Sequence, residues 1–543
     1  MADKTSLILL SIFVIAAIKV VQVVHRRYFT PVGRLRGPPS ESLLFGNMRT
    51  LNNAARQHVY LSWADQWGST FRINSWLSAS AVFSLDPKLI HHVLTHDMIF
   101  WKTEEARSNL SSLLGKGALF VPSHHLTSYT AADHGMVDNP AFGPTQVREL
   151  TEIFLESSTN LVKYWTNVPV SDDGSRRIET IDGLGKMTLD VIGLAGFDYE
   201  FDAMNPAVED PVRRAFKKVT SRPPKGNAFA VLRLFIPSNL LTSIVRRPFG
   251  NVKAMFDAQN TMMELGRKML EKKKSQYSGG VEKRDVQGRD LLSLLFKANM
   301  ATDIPEDQRL SDEEVLAQVP TFLIAGHETT STSTTWCLYA LCKAPHIQAA
   351  LREELLAMST DMPTMEELNG LPLLDRVVRE TLRLHAPVTM SRRTAMEDDV
   401  LPLQTPIVDL NGKTMTEVPV KKGELIVVPI LALNTSKAIW GPDAFEFNPD
   451  RWLEEPEAAS TIPGVWGHLM TFLGGQHACI GYRFSVVEMK ALVFTLIRAF
   501  EFEFAVPADD IVPVGLVIQR PGLNGAKEEG AQLPLLIRPI KRE

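Results

Sequence analysis

The chain has 543 residues, 45% of them apolar, with a formal net charge of −4 and a pI of about 6.4. That balance excludes the basic footprint of a nucleic-acid binder. Its three cysteines, Cys337, Cys342 and Cys479, are too few for a disulfide framework and lack zinc-ribbon spacing.

Ser6–Val24 is apolar except for Lys19 and Gln22. At about 1.5 Å per residue it is long enough to cross a bilayer core. His25-Arg26-Arg27 follow directly, which places the remainder of the chain on the cytoplasmic side. No small-x-small cleavage site follows, so a retained anchor over residues 1–27 is expected, with its transmembrane helix at about 6–24. Pro31, Gly33, Gly37, Pro38 and Pro39 make residues 28–50 a stiff, irregular hinge.

Residues Asn52–Trp67 read as a helix. Thr70–Leu77 and Ala81–Leu85 read as a small hairpin, and Leu89–Leu94 begins another helix. Thr145–Trp165 and Ile178–Gly196 are long amphipathic patterns. Glu271–Arg289 is charged, contains Ser278-Gly279-Gly280, and reads as a solvated loop. Cys337 and Cys342 lie in and just after the apolar stretch Thr334–Leu341 and read as packing residues.

Ser311 with Glu314 forms a capping box, and a long apolar helix follows to about Lys343. It carries Ala325-Gly326-His327-Glu328-Thr329-Thr330-Ser331. Gly326 costs about 1 kcal/mol there relative to alanine. Threonine hydroxyls bond back to carbonyls and bend a helix, and Pro320 bends it as well. His327-Glu328 opens a zinc-protease-like pattern, but Ser331 stands where the second histidine is required, which rules zinc out.

Glu380 and Arg383 are i,i+3 neighbours in a helix over Leu373–Leu384, opened after Pro372 and ended by Ala386-Pro387. On a surface such a pair is worth little. Phe447-Asn448-Pro449-Asp450-Arg451-Trp452 lies further on. Ile426–Leu433 reads as a strand, and Leu533–Ile537 as a final one.

Phe472-Leu473-Gly474-Gly475-Gln476-His477-Ala478-Cys479-Ile480-Gly481 places a cysteine between glycines, just before the helical run Val486–Phe500. Loop amides and a helix N-terminus both lower a thiol pKa. Taken alone, local physics favours a buried cysteine in a glycine turn. The whole pattern resembles the haem-binding loop of the cytochromes P450, Phe-x-x-Gly-x-Arg-x-Cys-x-Gly. Phe472, Gly475, Cys479 and Gly481 match it, and His477 stands where arginine is usual. Ala325–Thr330 resembles that family's Ala-Gly-x-Glu-Thr-Thr signature. Glu380 and Arg383 resemble its Glu-x-x-Arg pair, with Arg451 as third member; Asp450 replaces the commoner glutamate. Arg393-Thr394-Ala395 resembles its propionate-binding strand, with a register that Arg392 leaves open by one. Gly37-Pro38-Pro39 resembles the hinge of microsomal members.

The resemblance spans about Pro31 to the C-terminus. It implies a mainly α fold with a small β region, as one domain over residues 51–543. It implies haem b held through the Cys479 thiolate, with Phe472, Gly475, His477, Gly481 and Arg393 around it. The implied activity is monooxygenation: one atom of O2 enters an organic substrate and the other leaves as water. Glu328 and Thr329 would handle protons in a distorted turn that opens a groove for dioxygen. Glu380 between the forks of Arg383 and Arg451 would lock the segment before the cysteine loop.

No flavin or nicotinamide motif is present, so electrons come from outside. The resemblance implies an NADPH–cytochrome P450 reductase at the endoplasmic reticulum membrane. Asn139-Pro140-Ala141-Phe142-Gly143 and Trp440-Gly441-Pro442-Asp443-Ala444 are most similar to fungal members, many of which oxidise terpenoids in secondary metabolism. A haem-dependent isomerase or lyase that needs no external electrons is the alternative, which Glu328-Thr329 argues against.

One segment departs from the family. Ala118–Gln146 contains no Trp, Arg or Lys, where members carry basic residues for a haem propionate. It offers His124, His125 and His134 instead. Its departure leaves open a catalytically impaired membrane protein or an altered gene, and predicts weaker haem retention.

Overall fold

The computed structural model describes residues 30–53, 56–75, 79–108, 142–208, 250–278, 290–293, 312–515, 517–526 and 529–541, with isolated helical positions at Val14, Ala17, Ile18, Val21 and Arg214. The anchor at 6–24, apart from those four positions, lies outside the described residues. So do the Ser311 cap, His124, His125, His134 and most of 118–146. Among the described residues, no helix is long and apolar enough to cross a membrane.

The proline-rich hinge is docked on the domain. The Arg72 amide donates to the Arg36 carbonyl (2.8 Å), and Asn47 Nδ2 donates to the Pro39 carbonyl (2.7 Å). The expected helix over 52–67 is described as two pieces, α1 (Met48–Asn53) and α2 (Arg56–Trp67). Strands β1 (Thr70–Asn74) and β2 (Ser80–Ser84) form the expected antiparallel pair, somewhat shorter than the sequence implied. Helix α3 (Pro87–Thr95) starts where Asp86 accepts the Lys88 and Leu89 amides, with Pro87 in its first turn. Strand β3 (Phe100–Lys102) follows.

The helical body comes next. Helix α4 (Pro144–Thr166) matches the first amphipathic pattern. The second divides: β4 (Arg176–Glu179) forms an edge strand, and α5 (Thr180–Phe197) begins once Glu179 caps the Ile181 amide. Helix α6 (Gly250–Ser278) corrects the loop expected from Glu271. The Glu271–Ser278 stretch is its last two turns, because lysine and glutamate are good helix formers despite their charge.

The long helix α7 (Asp312–Lys343) runs through the centre with Pro320 inside it. It packs on α5, on α6 and on the later helix that follows the cysteine. Helices α8 (Pro345–Leu356), α9 (Met365–Asn369) and α10 (Pro372–Leu384) follow.

Strands β5 (Ser391–Ala395), β6 (Asp399–Val408), β7 (Thr414–Val420) and β8 (Leu425–Val428) then return the chain to the small sheets. The strand expected over Ile426–Leu433 stops early. Pro429 has no amide to continue a ladder, and α11 (Ile430–Asn434) turns away instead. Helix α12 (Lys437–Trp440) follows, then the cysteine loop and α13 (Tyr482–Ala499). Strands β9 (Phe500–Phe504), β10 (Ile511–Val514), β11 (Arg520–Leu523) and β12 (Pro534–Pro539) close the chain. The largest sheet has the order β1-β2-β8-β5-β3. It brings Lys102 and Arg393 to one edge, beside the cysteine loop.

Candidate active site

The cysteine loop is built by close backbone contacts. Gly475 has φ +68°, and a Cβ there would collide with the Leu94 carbonyl oxygen at the end of α3. A side chain on Gly474 would strike the Pro463 carbonyl oxygen. Both glycines are therefore required by the fold. The Cys479 amide donates to the Phe472 carbonyl (2.8 Å), which closes the loop on itself. Gly481 differs: its φ is −90°, and a Cβ would meet only Phe142, at 3.8 and 3.9 Å.

Cys479 presents accessible surface, whereas Cys337 and Cys342 are buried. Its thiol is nevertheless pushed up to about 11, first by desolvation and against the Gly481 amide, which lowers it. Accessible surface together with desolvation marks a side chain that lines a concavity walled by protein. The expected lowering by a loop amide is present, from Gly481, but in the chain alone burial outweighs it. A cation at the sulfur is needed to hold it as thiolate.

Helix α7 is buried on both sides of one short stretch. Ala325 is exposed and Thr329, one turn on, is partly exposed, whereas Val315–Thr321 and Thr330–Leu338 are buried. Phe142 spans the two walls, beside Gly481 and 5.6 Å from the Phe322 ring between centroids. Thr330 Oγ1 and Ser485 Oγ, 3.1 Å apart, join α7 to the start of α13. The expected back-bonds are present: Thr329 Oγ1 donates to the Ala325 carbonyl (2.7 Å), and Ser331 Oγ to that of His327 (2.6 Å). The helix runs continuously from Asp312 to Lys343 through these back-bonds. Gly326 has another cause, because a Cβ there would come within 2.8 Å of the Ile192 side chain on α5.

Two cations stand together at the rim. Lys102 on β3 is the Cα partner of Arg393 on β5. Arg393 is 1% exposed whereas Arg392 is exposed, so Arg393 is the buried cation of the two. Its Nη1 donates to Ser391 Oγ (2.5 Å) and the Arg392 carbonyl (3.2 Å), but its Nη2 has no hydrogen-bond partner. Burial drives Lys102 down to about 7, with the Arg393 charge adding to it. Burial likewise lowers Arg393 to about 10, against the pull of Asp97. His477 is held near 4, by burial first and then by Lys102 and Arg393, so it is a neutral imidazole. Its Nε2 lies 3.8 Å from Asp97 Oδ2, beyond hydrogen-bond reach.

A family model described as Cytochrome P450 matches residues 36–522. Cytochrome P450 monooxygenase 205 of Postia placenta is 46% identical over 532 residues, covering 97% of this chain and 96% of the relative. Cytochrome P450 monooxygenase 128 of the same fungus is 46% identical over 541 residues, covering 96% and 95%. Cytochrome P450 monooxygenase claP of Ampulloclitocybe clavipes is 34% identical over 531 residues, again covering 96% and 95%. The chain belongs to the cytochrome P450 family. The mainly α fold with small sheets is the fold of that family, and the activity is monooxygenation.

The cofactor of a cytochrome P450 is haem b, and the residues present fit it. The orphaned Arg393 Nη2, the like-charged partner opposite it and the depressed Lys102 all call for an anion, which a haem propionate supplies. Gly481 is a glycine the protein does not itself require, as expected where a flat ring approaches the backbone. Cys479 would hold the iron, and thiolate ligation favours O–O cleavage.

Glu380 lies below this site with 0% exposure. Arg383 grips it bidentately, Nε to Oε2 at 2.9 Å and Nη2 to Oε1 at 2.8 Å. The Asn448 amide (3.0 Å) and Trp452 Nε1 (3.1 Å) complete its shell. Arg451 is not the second fork that was expected. Only its Nε reaches Glu380, at 3.5 Å, while Nη1 and Nη2 clasp Asp443 at 3.0 and 2.6 Å. Arg383 Nη1 also donates to the Asn434 carbonyl (3.0 Å). Asn434 in turn accepts the Met470 amide (2.9 Å) and donates to Thr471 Oγ1 (2.8 Å). This chain of bonds ties the buried pair to the residue before Phe472.

Sequence reasoning passed over Lys102, Asp443, Arg520 and Glu488. Glu488 on α13 is fully buried, and desolvation holds its carboxyl well above the carboxylate range, with Thr330 opposing in part. Its signal was an acid inside the apolar run Val486–Phe500.

Proposed function

We propose that this monooxygenase draws its electrons from an NADPH–cytochrome P450 reductase at the endoplasmic reticulum membrane and oxidises a terpenoid-like secondary metabolite. Glu328 and Thr329 move the protons. The carrying observation is the accessible surface at Ala325 and Thr329, one turn apart on α7 and flanked by the buried stretches Val315–Thr321 and Thr330–Leu338. Thr329 Oγ1 gives its hydrogen to the Ala325 carbonyl, so its lone pairs stay available to accept a proton from Glu328.

Several features support the membrane setting. Val14, Ile18 and Val21 are helical, exposed and spaced along one face, at 46%, 51% and 66% exposure. Leu43 in the hinge is 77% exposed. An anchor over 1–27, the hinge over 28–50 and the catalytic domain over 51–543 fit this pattern. The likeness of the 139–143 and 440–444 motifs to fungal members supports the substrate class.

Membranes containing the expressed chain, supplied with NADPH, reductase and a terpenoid panel, should yield products one oxygen atom heavier. Turnover without NADPH and reductase would overturn this reading in favour of an isomerase or lyase. Thr329→Ala should keep its haem but divert electrons to peroxide; full coupling of NADPH to product in that variant would remove Thr329 from the proton path.

A further inference from the structure

The β10–β11 hairpin carries a charge to Glu328 from 192 residues away. Its second strand starts from pinned backbone. The Gln519 amide donates to the Pro387 carbonyl (2.8 Å), and the Gln519 carbonyl accepts from Trp336 Nε1 (2.9 Å) on α7. Ile518 bridges Val388. Arg520, the next residue, therefore leaves a backbone fixed on two sides, and its Nη2 pairs with Glu328 Oε2. The two side chains are only 17% and 12% exposed, so water screens them little. Burial lowers Arg520 to about 10.

The other neighbour of Glu328 offers no charge. His327 Nδ1–H donates to the Leu323 carbonyl (2.8 Å), which leaves Nε2 without a proton. That Nε2 is 3.7 Å from Glu328 Oε1. Burial, and then the Arg520 charge, hold His327 near 4.

We propose that Arg520 is a positioning residue for proton delivery: by pairing with Glu328 it keeps that buried carboxylate ionised and turned to the C-terminal hairpin. Glu328 then takes a proton from solvent water only on leaving the pair. It passes that proton to the Thr329 hydroxyl as the hydroxyl turns from the Ala325 carbonyl and gives up its own hydrogen, and returns to Arg520 as carboxylate. Protons balance over the cycle, and the electrons are those of the monooxygenation. The inference rests on the role proposed for Glu328, and Glu328→Gln alone tests that role.

The test combines infrared spectra with coupling, on haem-loaded full chain. Infrared differences between each protein and its Glu328→Gln counterpart isolate the Glu328 carboxyl. Wild type should show a carboxylate stretch, Arg520→Met a protonated carboxyl stretch, and Arg520→Lys the carboxylate again. Product formed per NADPH should fall at least threefold in Arg520→Met, recover to within twofold in Arg520→Lys, and fall no further when Arg520→Met is added to Glu328→Gln. A carboxylate band persisting in Arg520→Met, its absence from wild type, or equal losses with and without Glu328 would overturn the proposal. If Arg520→Met does not load haem, Arg520→Gln is read by the same criteria. Normal coupling in Glu328→Gln with the infrared shift intact would instead remove Glu328 from catalysis and leave the pair as described.

Discussion

Lys102 and Arg393 face one another as Cα partners across antiparallel strands, two cations of which Arg393 keeps an orphaned Nη2. Like charges in that register oppose folding, an effect that Asp97 offsets at Arg393 and that a further anion would offset more. Opposite effects on two measurements are therefore expected. Lys102→Gln should speed haem transfer to an acceptor protein by about tenfold or more, the scale of a charge-assisted hydrogen bond. The same change should leave the haem-free chain as stable as wild type or more so. Slower haem loss, or a destabilised apoprotein, would detach Lys102 from the propionate.

The Glu380–Arg383 pair sets a second order of effects. Arg383→Leu strands a fully buried carboxylate, which typically costs roughly 3–5 kcal/mol. Arg451→Leu leaves Glu380 with its Arg383 fork, the Asn448 amide and Trp452, and should cost less. Haem content and thermal midpoints of the two variants check this. Equal damage would show that Arg451 serves Glu380 as fully as Arg383 does.

The site was legible where its chemistry is local. Cys479 between glycines, Glu380 one turn from Arg383 and Glu328-Thr329 on one helix are written in adjacent residues. Pairs made by the tertiary fold were not. Lys102 meets Arg393 only because β3 and β5 are neighbours in the sheet, and Arg520 meets Glu328 only because the last hairpin folds onto α7. Asp443 was seen only as part of the 440–444 motif, without a hint that it takes the Arg451 fork. For Cys479 the lowering by loop amides shows in sequence, while the larger desolvation that opposes it does not. Gly326 needed a reason, and that reason is Ile192, 134 positions away in α5. Pro429 was a visible break that apolar continuity overrode.

Two desolvated imidazoles, the buried His327 and the half-buried His385, make stability depend on pH. Burial lowers His327 to about 4 and His385 to about 3; His385 is stacked on Trp336 at 4.6 Å between centroids. An unfolded imidazole titrates near 6.5. Below that value the unfolded chain binds protons that the folded chain refuses. Stability is therefore full above pH 6.5 and falls as pH drops toward 4 and 3, by up to about 1.4 kcal/mol per pH unit for each group. His385→Phe, which keeps an aromatic ring on Trp336, should lose less stability than wild type between pH 7.5 and 5. Parallel thermal midpoints for the two proteins would refute this, and comparing them removes the carboxylates both share.

Gly475 and Gly481 flank Cys479 in one motif but serve different partners, and alanine separates them. At Gly475 the φ of +68° and the Leu94 carbonyl leave no room for a Cβ. Gly475→Ala must shift α3 or the loop, so it should destabilise the haem-free chain by about 1–3 kcal/mol. At Gly481 the backbone suits any residue, and Phe142 would be an ordinary contact. Gly481→Ala should leave the haem-free chain unchanged within about 0.5 kcal/mol. Its methyl group instead narrows the approach of a flat ring to the cysteine backbone. Haem affinity should fall, and the thiolate signature of the reduced carbon monoxide complex should weaken. Chemical denaturation of the haem-free variants and haem titration of the same samples give the two readings. If Gly481→Ala weakens the apoprotein and leaves haem affinity intact, the glycine serves the fold and the ring lies elsewhere.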